Sequence, residues 1–335
     1  MPGLPRLAGA LSALVLLSGC GSDDTAQDPI ERVPEAGGLR ERIAEARAVK
    51  RSDFPAPAGR SLEEMAQALG ARDGEAALAS SVFTVGPNRL AFGSIDEQGQ
   101  FAFGRTAIYV APRPGAPARG PYPAPADLLV TDPAFRSSQA ATEQDPFSAV
   151  YAARVPFRTP GQHAILTVTR AGDRTVAATG AVAVTSSNRD PIPDVGEKAP
   201  LVETDTVATA GGDVKAIDTR EPPSDMHARS FADVVGEKPV ALLFATPQLC
   251  QSRVCGPVVD VALQMKKTYG DRVEFIHQEV YRENDPNLGI RDPLMRFNLR
   301  TEPWLFVVDE NGRITARLEG SFGLDAFERA LNTAL

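Results

Sequence analysis

The sequence predicts a multidomain chain, an all-β sandwich followed by an α/β domain. Three observations lead there. Between residues 81 and 187, short runs rich in β-branched and apolar residues alternate with turn signals at regular spacing. A break rich in Ser, Asn, Asp and Pro follows at 186–194, after which β-type runs alternate with helical periodicity. In that second region the apolar run Val240 to Ala245 stops at Thr246-Pro247, and two of the chain's 3 cysteines, Cys250 and Cys255, come next. The 335 residues suffice for two domains, and the net charge of −8 argues against nucleic acid as a partner.

Residues 1–19 read as a targeting leader. Arg6 supplies a positive start, 7–17 is apolar and too short to span a bilayer comfortably, and Leu17-Ser18-Gly19-Cys20 resembles the lipobox of bacterial lipoprotein signal peptides. That resemblance implies cleavage before Cys20, lipid on its thiol and amine, and a chain anchored to the extracytoplasmic face of the membrane. Disulfides persist in that compartment. Residues 20–80 read as a tether with short helices, one over 39–49 ended by Phe54-Pro55-Ala56-Pro57. A second opens at the capping-box pattern Ser61-Leu62-Glu63-Glu64 and runs to about Leu69. No chemistry is expected there, only spacing from the membrane.

The β-region, 81–187, offers strands at 82–85, 89–95, 101–110, 149–157, 163–169 and 176–185, with turns such as Gly86-Pro87-Asn88 and Ala171-Gly172-Asp173 between them. This spacing suggests an antiparallel, immunoglobulin-like sandwich that lacks a core disulfide. Residues 112–125 hold six prolines and are expected as an exposed loop. Phe92, Phe101 and Phe103 are expected in the core, with Phe101 and Phe103 on one face. His163, at a strand start, is expected to be structural.

Past the linker, 188–194, the α/β domain is expected over 195–335. Its amphipathic helix starts near Pro257, with Val258, Val261, Ala262 and Met265 on one face. A strand follows at 273–280 and a short helix at 294–297. A hairpin turns at Asp309-Glu310-Asn311-Gly312, and the last helix faces the sheet through Leu324, Phe327 and Leu331.

This half resembles the thioredoxin superfamily. Val195-Gly196-Glu197-Lys198-Ala199-Pro200 is similar to the lead-in of peroxiredoxins and of TlpA/ResA-type extracytoplasmic thioredoxins. Glu302-Pro303-Trp304 resembles their cis-proline loop. Val254-Cys255-Gly256-Pro257-Val258 resembles the thioredoxin Trp-Cys-Gly-Pro-Cys with its second cysteine gone. The spacing C-x4-C departs from the family's C-x2-C, and Cys250 lies upstream as an atypical partner. The resemblance implies a redox-active disulfide, no other cofactor or metal, a cis peptide before Pro303 facing the thiols, and exchange with protein thiols or disulfides through a further electron donor or acceptor. It also implies a buried acid on the strand before the site, which Val240 to Ala245 does not provide.

The residues themselves suggest roles. Helix N–H groups and Arg253 favour a lowered thiol pKa at the helix start. The sequence leans to Cys250 as nucleophile with Cys255 resolving. Glu302 is a candidate proton acceptor, Trp304 flanks the loop, and Tyr281 and Glu279 are candidates to line the site. Three other readings stand beside this one. Thr246-Pro247-Gln248-Leu249-Cys250 resembles the Thr-Pro-Gly-Cys of one peroxiredoxin class, with Thr246 one residue too far from the cysteine. An SCO-type copper chaperone needs two thiolates and a histidine, for which His227, beside Met226, and His277 are the candidates in this half. A redox-inactive surface adaptor, the last reading, is opposed by Cys250, Cys255 and Pro303. A lone strand histidine such as His277 is usually structural.

Overall fold

The computed structural model describes residues 1, 3, 28–32, 38–142, 148–250 and 253–335. The expected leader over 4–19 and the Cys20 lipidation site lie outside the described residues. Among those described, no helix is long and apolar enough to cross a membrane.

From Gly38 onward the expected tether is part of the folded body. Helix α1 (Leu39–Arg47) buries Ile43 and Ala46, and α2 (Leu62–Ala68) buries Leu62 and Met65. The capping box forms: the Ser61 side chain accepts from the Glu64 N–H, and Glu64 accepts from the Ser61 N–H. Apolar side chains at helical spacing need a partner surface, and the sandwich supplies it.

Ten strands build that sandwich: β1 (Arg72–Asp73), β2 (Glu75–Leu78), β3 (Phe83–Thr84), β4 (Gly86–Ile95), β5 (Arg105–Ala111), β6 (Arg119–Pro123), β7 (Ala126–Leu128), β8 (Ala149–Phe157), β9 (Gly161–Ala171) and β10 (Arg174–Thr185). One sheet has the order β1-β10-β9-β5-β6 with β3 also on β10, and the other β2-β4-β8-β7. The sandwich therefore begins at residue 72, nine residues before the expected 81. The strand expected at 101–110 starts only at 105. Phe103 is buried as expected, but Phe101 is half-buried at an isolated bridge to Ile95, so the two do not share a strand face. The six-proline stretch is not an exposed loop: it carries β6, and Ala116, Ala118 and Ala124 are buried. Strand β6 lies at a sheet edge, where proline's missing N–H costs no ladder bond. His163 is structural as expected, its Nε2–H donating to the Thr159 carbonyl at 2.8 Å.

The second half contains α3 (Phe231–Val234), β11 (Val240–Phe244), α4 (Cys255–Tyr269), β12 (Glu274–Gln278), α5 (Asp292–Arg296), β13 (Trp304–Val308), β14 (Ile314–Glu319) and α6 (Leu324–Leu331). The sheet order is β12-β11-β13-β14, with β11 parallel to β12 and antiparallel to β13. After α3 this is the β-α-β-α-β-β-α order the sequence predicts. Side-chain alternation divides the sheet cleanly. Ala241, Leu243, Leu305 and Val307 face α4 and α6, while Val240, Leu242, Phe244 and Phe306 face α3 and the Leu294–Leu299 segment.

The two halves share one core. Ala91 and Val150 from the β2-containing sheet, with Leu129 and Val130, pack in the same apolar cluster as α4 and α6. The result is a stack: α2, two sandwich sheets, the α4/α6 layer, the second domain's sheet, then α3 and α5. Helix α4 is consequently buried on more than the one face expected. Val259, Asp260 and Gln264 are buried along with Val258 and Val261.

Candidate functional site

Strand β11 delivers the chain into the thiol loop, and α4 leads out of it. The helix begins at Cys255 rather than near Pro257. Pro257 thus occupies the third helical position, still within the first turn, where a missing N–H leaves no helix bond unmade. Gly256 has a separate requirement. A Cβ there would stand 2.6 Å from the Gln139 Cβ and 2.9 Å from its carbonyl oxygen. Only glycine lets the segment around Gln139 lie against the helix start. Arg253 sits at φ 59, a left-handed conformation, with its N–H donating to the Cys250 carbonyl at 3.2 Å.

Both cysteines are thiols, Cys250 being 8% exposed and Cys255 0%. Burial pushes the Cys255 thiol well above its ordinary pKa, and a side-chain hydrogen bond to Cys250 adds to the rise. The Thr246 backbone N–H opposes it without prevailing. The expected lowering at the helix start by dipole and Arg253 is therefore overturned for Cys255, because desolvation outweighs it. Arg253 is exposed and lines the mouth of a cleft.

Beside the thiols stands the loop bearing Glu302 and Pro303, whose peptide bond is cis as expected. Glu302 is pushed up to about 7, first by burial and then by the charges of Cys250 and Glu279. Glu279, fully buried, is held by the Thr219 N–H at 2.9 Å and the Thr219 hydroxyl at 2.8 Å. The Gln248 N–H donates to that same hydroxyl at 3.2 Å, tying the thiol loop through Thr219 to Glu279, just past β12. Thr219 carries no sequence signal that would have found it. Tyr281 lies in the same field: burial raises its hydroxyl pKa, and Glu302 and both thiols raise it further.

The side chains of two expected residues make no hydrogen bond to the thiols among the described residues. Trp304 is 2% exposed, stacks on Phe306 at 5.6 Å and donates from Nε1 to the Thr301 hydroxyl at 3.0 Å. Its position at the start of β13 turns it into the core rather than toward the thiols. Thr246 is buried, and its hydroxyl has no hydrogen-bond partner among the described residues.

The histidines considered for copper do come together, but with Asp218 rather than the cysteines. Ligand atoms of Asp218, His227 and His277 lie within 4.8 Å of one another, all buried, and no cysteine joins this group among the described residues. Among the described residues, the two-thiolate-plus-histidine set of a copper chaperone is not brought together.

A cleft of about 680 Å³ opens between the two domains, lined by Arg253, Val254 and Glu302 but by neither thiol. Leu78, Phe101 and Val150 line it from the sandwich side, Arg253, Val254 and Glu302 from the other. The opening is thus apolar on much of the sandwich side and charged at Arg253, Glu302 and Glu319.

No family model matches the chain, and no curated protein matches it. Among solved structures, a thiol:disulfide interchange protein DsbE of Chlorobium tepidum is similar over 42% of this chain and 98% of its own length, at 16% identity and a TM-score of 0.31. A thioredoxin family thiol:disulfide interchange protein from Chlorobium tepidum TLS is similar over 41% of this chain and 94% of its own, at 18% identity and a TM-score of 0.28. An endo-beta-1,4-mannanase of Thermotoga petrophila matches 35% of this chain and 20% of its own, at 9% identity and a TM-score of 0.20.

Proposed function

We propose that the chain is an extracytoplasmic thiol–disulfide oxidoreductase, held at the membrane through lipidated Cys20, with Cys250 as nucleophile and Cys255 as resolving thiol. The observation that carries this reading is the arrangement at the site. A fully buried Cys255 is hydrogen-bonded to a more accessible Cys250, and a carboxyl group pushed to about 7 stands in the field of both.

The exchange follows from these groups. The Cys250 thiolate attacks a substrate disulfide, forming a mixed disulfide and expelling one substrate thiolate, which takes a proton from solvent. Cys255 holds its proton too tightly to react unaided. The Glu302 carboxylate accepts it, supplying the base that β11 lacks. The Cys255 thiolate then attacks the Cys250 Sγ, releases the second substrate thiol and leaves a Cys250–Cys255 disulfide. Two electrons pass from protein to substrate, and a partner dithiol returns them. The same steps in reverse oxidise a substrate dithiol. The immunoglobulin-like sandwich contributes the apolar wall of the cleft, so a substrate with apolar residues flanking its cysteine suits it.

Replacing either cysteine with serine should abolish reduction of insulin disulfides. Cys255→Ser should trap a mixed disulfide with a partner, visible on a non-reducing gel, and Cys250→Ser should not. If neither variant traps a partner and the wild-type pair resists excess dithiothreitol, the pair is a structural staple and the reading fails.

A further inference from the structure

Behind the thiol loop lies a group of polar side chains that the exchange reaction does not use. Asp218, His227 and His277 are 2%, 1% and 0% exposed. Asp218 is fixed before any ligand arrives. Its Oδ1 accepts the Arg220 N–H at 2.8 Å, and its Oδ2 accepts the Ser224 N–H at 2.7 Å. His277 is fixed too. Its Nε2 lies 3.0 Å from the Ala245 carbonyl, which only accepts, so Nε2 carries the proton.

That assignment exposes a conflict. In the neutral ring, His277 Nδ1 is a lone pair, and it faces the Asp218 Oδ2 at 3.5 Å without forming a hydrogen bond. Two lone pairs held together in a dry interior repel, and either a proton on Nδ1, which makes an ion pair with Asp218, or a bound cation relieves the contact. The distances suit one. A tetrahedral ion bound at about 2.0–2.1 Å sets its ligands about 3.3–3.4 Å apart. Here Oδ2 is 3.5 Å from His277 Nδ1 and 3.1 Å from His227 Nε2, the latter contact being a hydrogen bond that an ion would replace, and all three ligand atoms lie within 4.8 Å of one another. The Ala245 carbonyl on His277 and the backbone N–H groups on Asp218 are the outer partners that orient metal ligands. Ser224 adds a buried hydroxyl with no partner among the described residues, on the same residue whose N–H meets Oδ2.

We propose that Asp218, His227 and His277 bind one divalent transition-metal ion of the zinc class, with Ser224 Oγ or a water in the fourth place. One carboxylate and two imidazoles, without sulfur, suit such an ion. The site is separate from the thiols and does not rest on the exchange reaction. Its position makes its role structural. The ion fastens the segment around 218–227 to β12 and, through Ala245, to the strand end that leads into the thiol loop.

The test uses the full chain carrying Cys20→Ser, Cys250→Ser and Cys255→Ser, so that no thiol can bind metal. Zinc content by elemental analysis should be one ion per chain. Cobalt(II) added to the metal-stripped chain should give visible bands of tetrahedral intensity with no thiolate charge-transfer band in the near ultraviolet, and zinc should raise the melting temperature. His277→Gln and Asp218→Asn should each weaken zinc affinity by at least about tenfold. Absence of bound zinc and of cobalt bands in the folded thiol-free chain overturns the proposal. So does unchanged affinity in both variants. If the variants fail to fold by circular dichroism, the cobalt spectrum and zinc-dependent melt of the thiol-free chain decide the question.

Discussion

The sheet of the second domain and the seam that joins it to the sandwich are held by different means. Inside the sheet, β11 and β13 are apolar at every position and fully buried, and alternation alone decides which face each residue meets. The seam also has an apolar centre, but its register is set by polar pins. Asp127 of β7 accepts from the N–H groups of Gly323, Asp325 and Ala326, at 2.8, 3.0 and 3.4 Å, and so caps α6 from the other domain. Glu319 accepts from the Ser81 N–H and hydroxyl at 2.8 and 2.7 Å. Asp260 of α4 accepts from the Ser137 N–H and hydroxyl at 3.0 Å each and from Arg220 at 2.9 Å. Apolar contact is non-directional, so a sheet core tolerates substitution of similar volume, whereas a pinned seam depends on individual atoms.

The comparison breaks most sharply at Asp127. Asp127→Ala strips the α6 cap. It also takes the nearest opposite charge from the Arg89 guanidinium, 3.8 Å away and already without hydrogen-bond partners at Nη1 and Nη2 among the described residues. The expected loss is about 3–5 kcal/mol by urea unfolding. A loss under about 1 kcal/mol would mean that the seam does not rely on this carboxylate.

Gly320→Ala comes next. Its Cβ would fall 1.6 Å from the Ala79 carbonyl oxygen at φ +75, so the two domains must part locally, at about 3 kcal/mol. Gly196→Ala is the control. It shares a positive φ, +91, but meets nothing within 4 Å, and should cost only about 1 kcal/mol for the backbone. Equal losses for the two would show that conformation rather than the seam sets the effect. In the sheet, Val307→Ala should cost about 2–3 kcal/mol and leave the cleft and the thiol chemistry unchanged, because it removes volume without unpairing a polar group.

The smallest effect sharpens the comparison at the site itself. The Glu302 carboxyl is raised from 4.5 to about 7, so the folded chain binds its proton more tightly than the unfolded chain does. Its contribution is favourable at low pH and is lost as pH climbs through about 7. Glu302→Gln should match the wild type near pH 4 and exceed it at pH 8 by about 1 kcal/mol, the figure being reduced for partial exposure. The same variant should slow the resolving step and remove an inflection near pH 7 from its rate. Identical pH profiles for the two proteins would remove Glu302 from proton transfer.

Legibility in the sequence follows the same division. The β11 strand, the α6 face through Leu324, Phe327 and Leu331, the thiol pair and the cis peptide at Pro303 were all readable, because periodicity and local motif report them. What escaped depends on contacts distant in sequence. The docking of α1 and α2, the burial of α4 on further faces and the need for glycine at 256 all come from surfaces that other segments supply. Edge placement, not composition, decided that the proline-rich stretch becomes β6. Trp304 looked like a site residue because of its neighbours in sequence, yet its strand parity sends it into the core. Asp218 sits in an ordinary polar loop, and only the fold brings it to His227 and His277.

The division of labour between the two thiols is tested most directly by alkylation measured peptide by peptide on the reduced chain. With iodoacetamide at pH 7, Cys250 should be modified at least about tenfold faster than Cys255, since the thiolate is the reactive form and Cys255 keeps its proton in a fully buried position. Faster modification of Cys255, or equal rates at the two, would contradict the account.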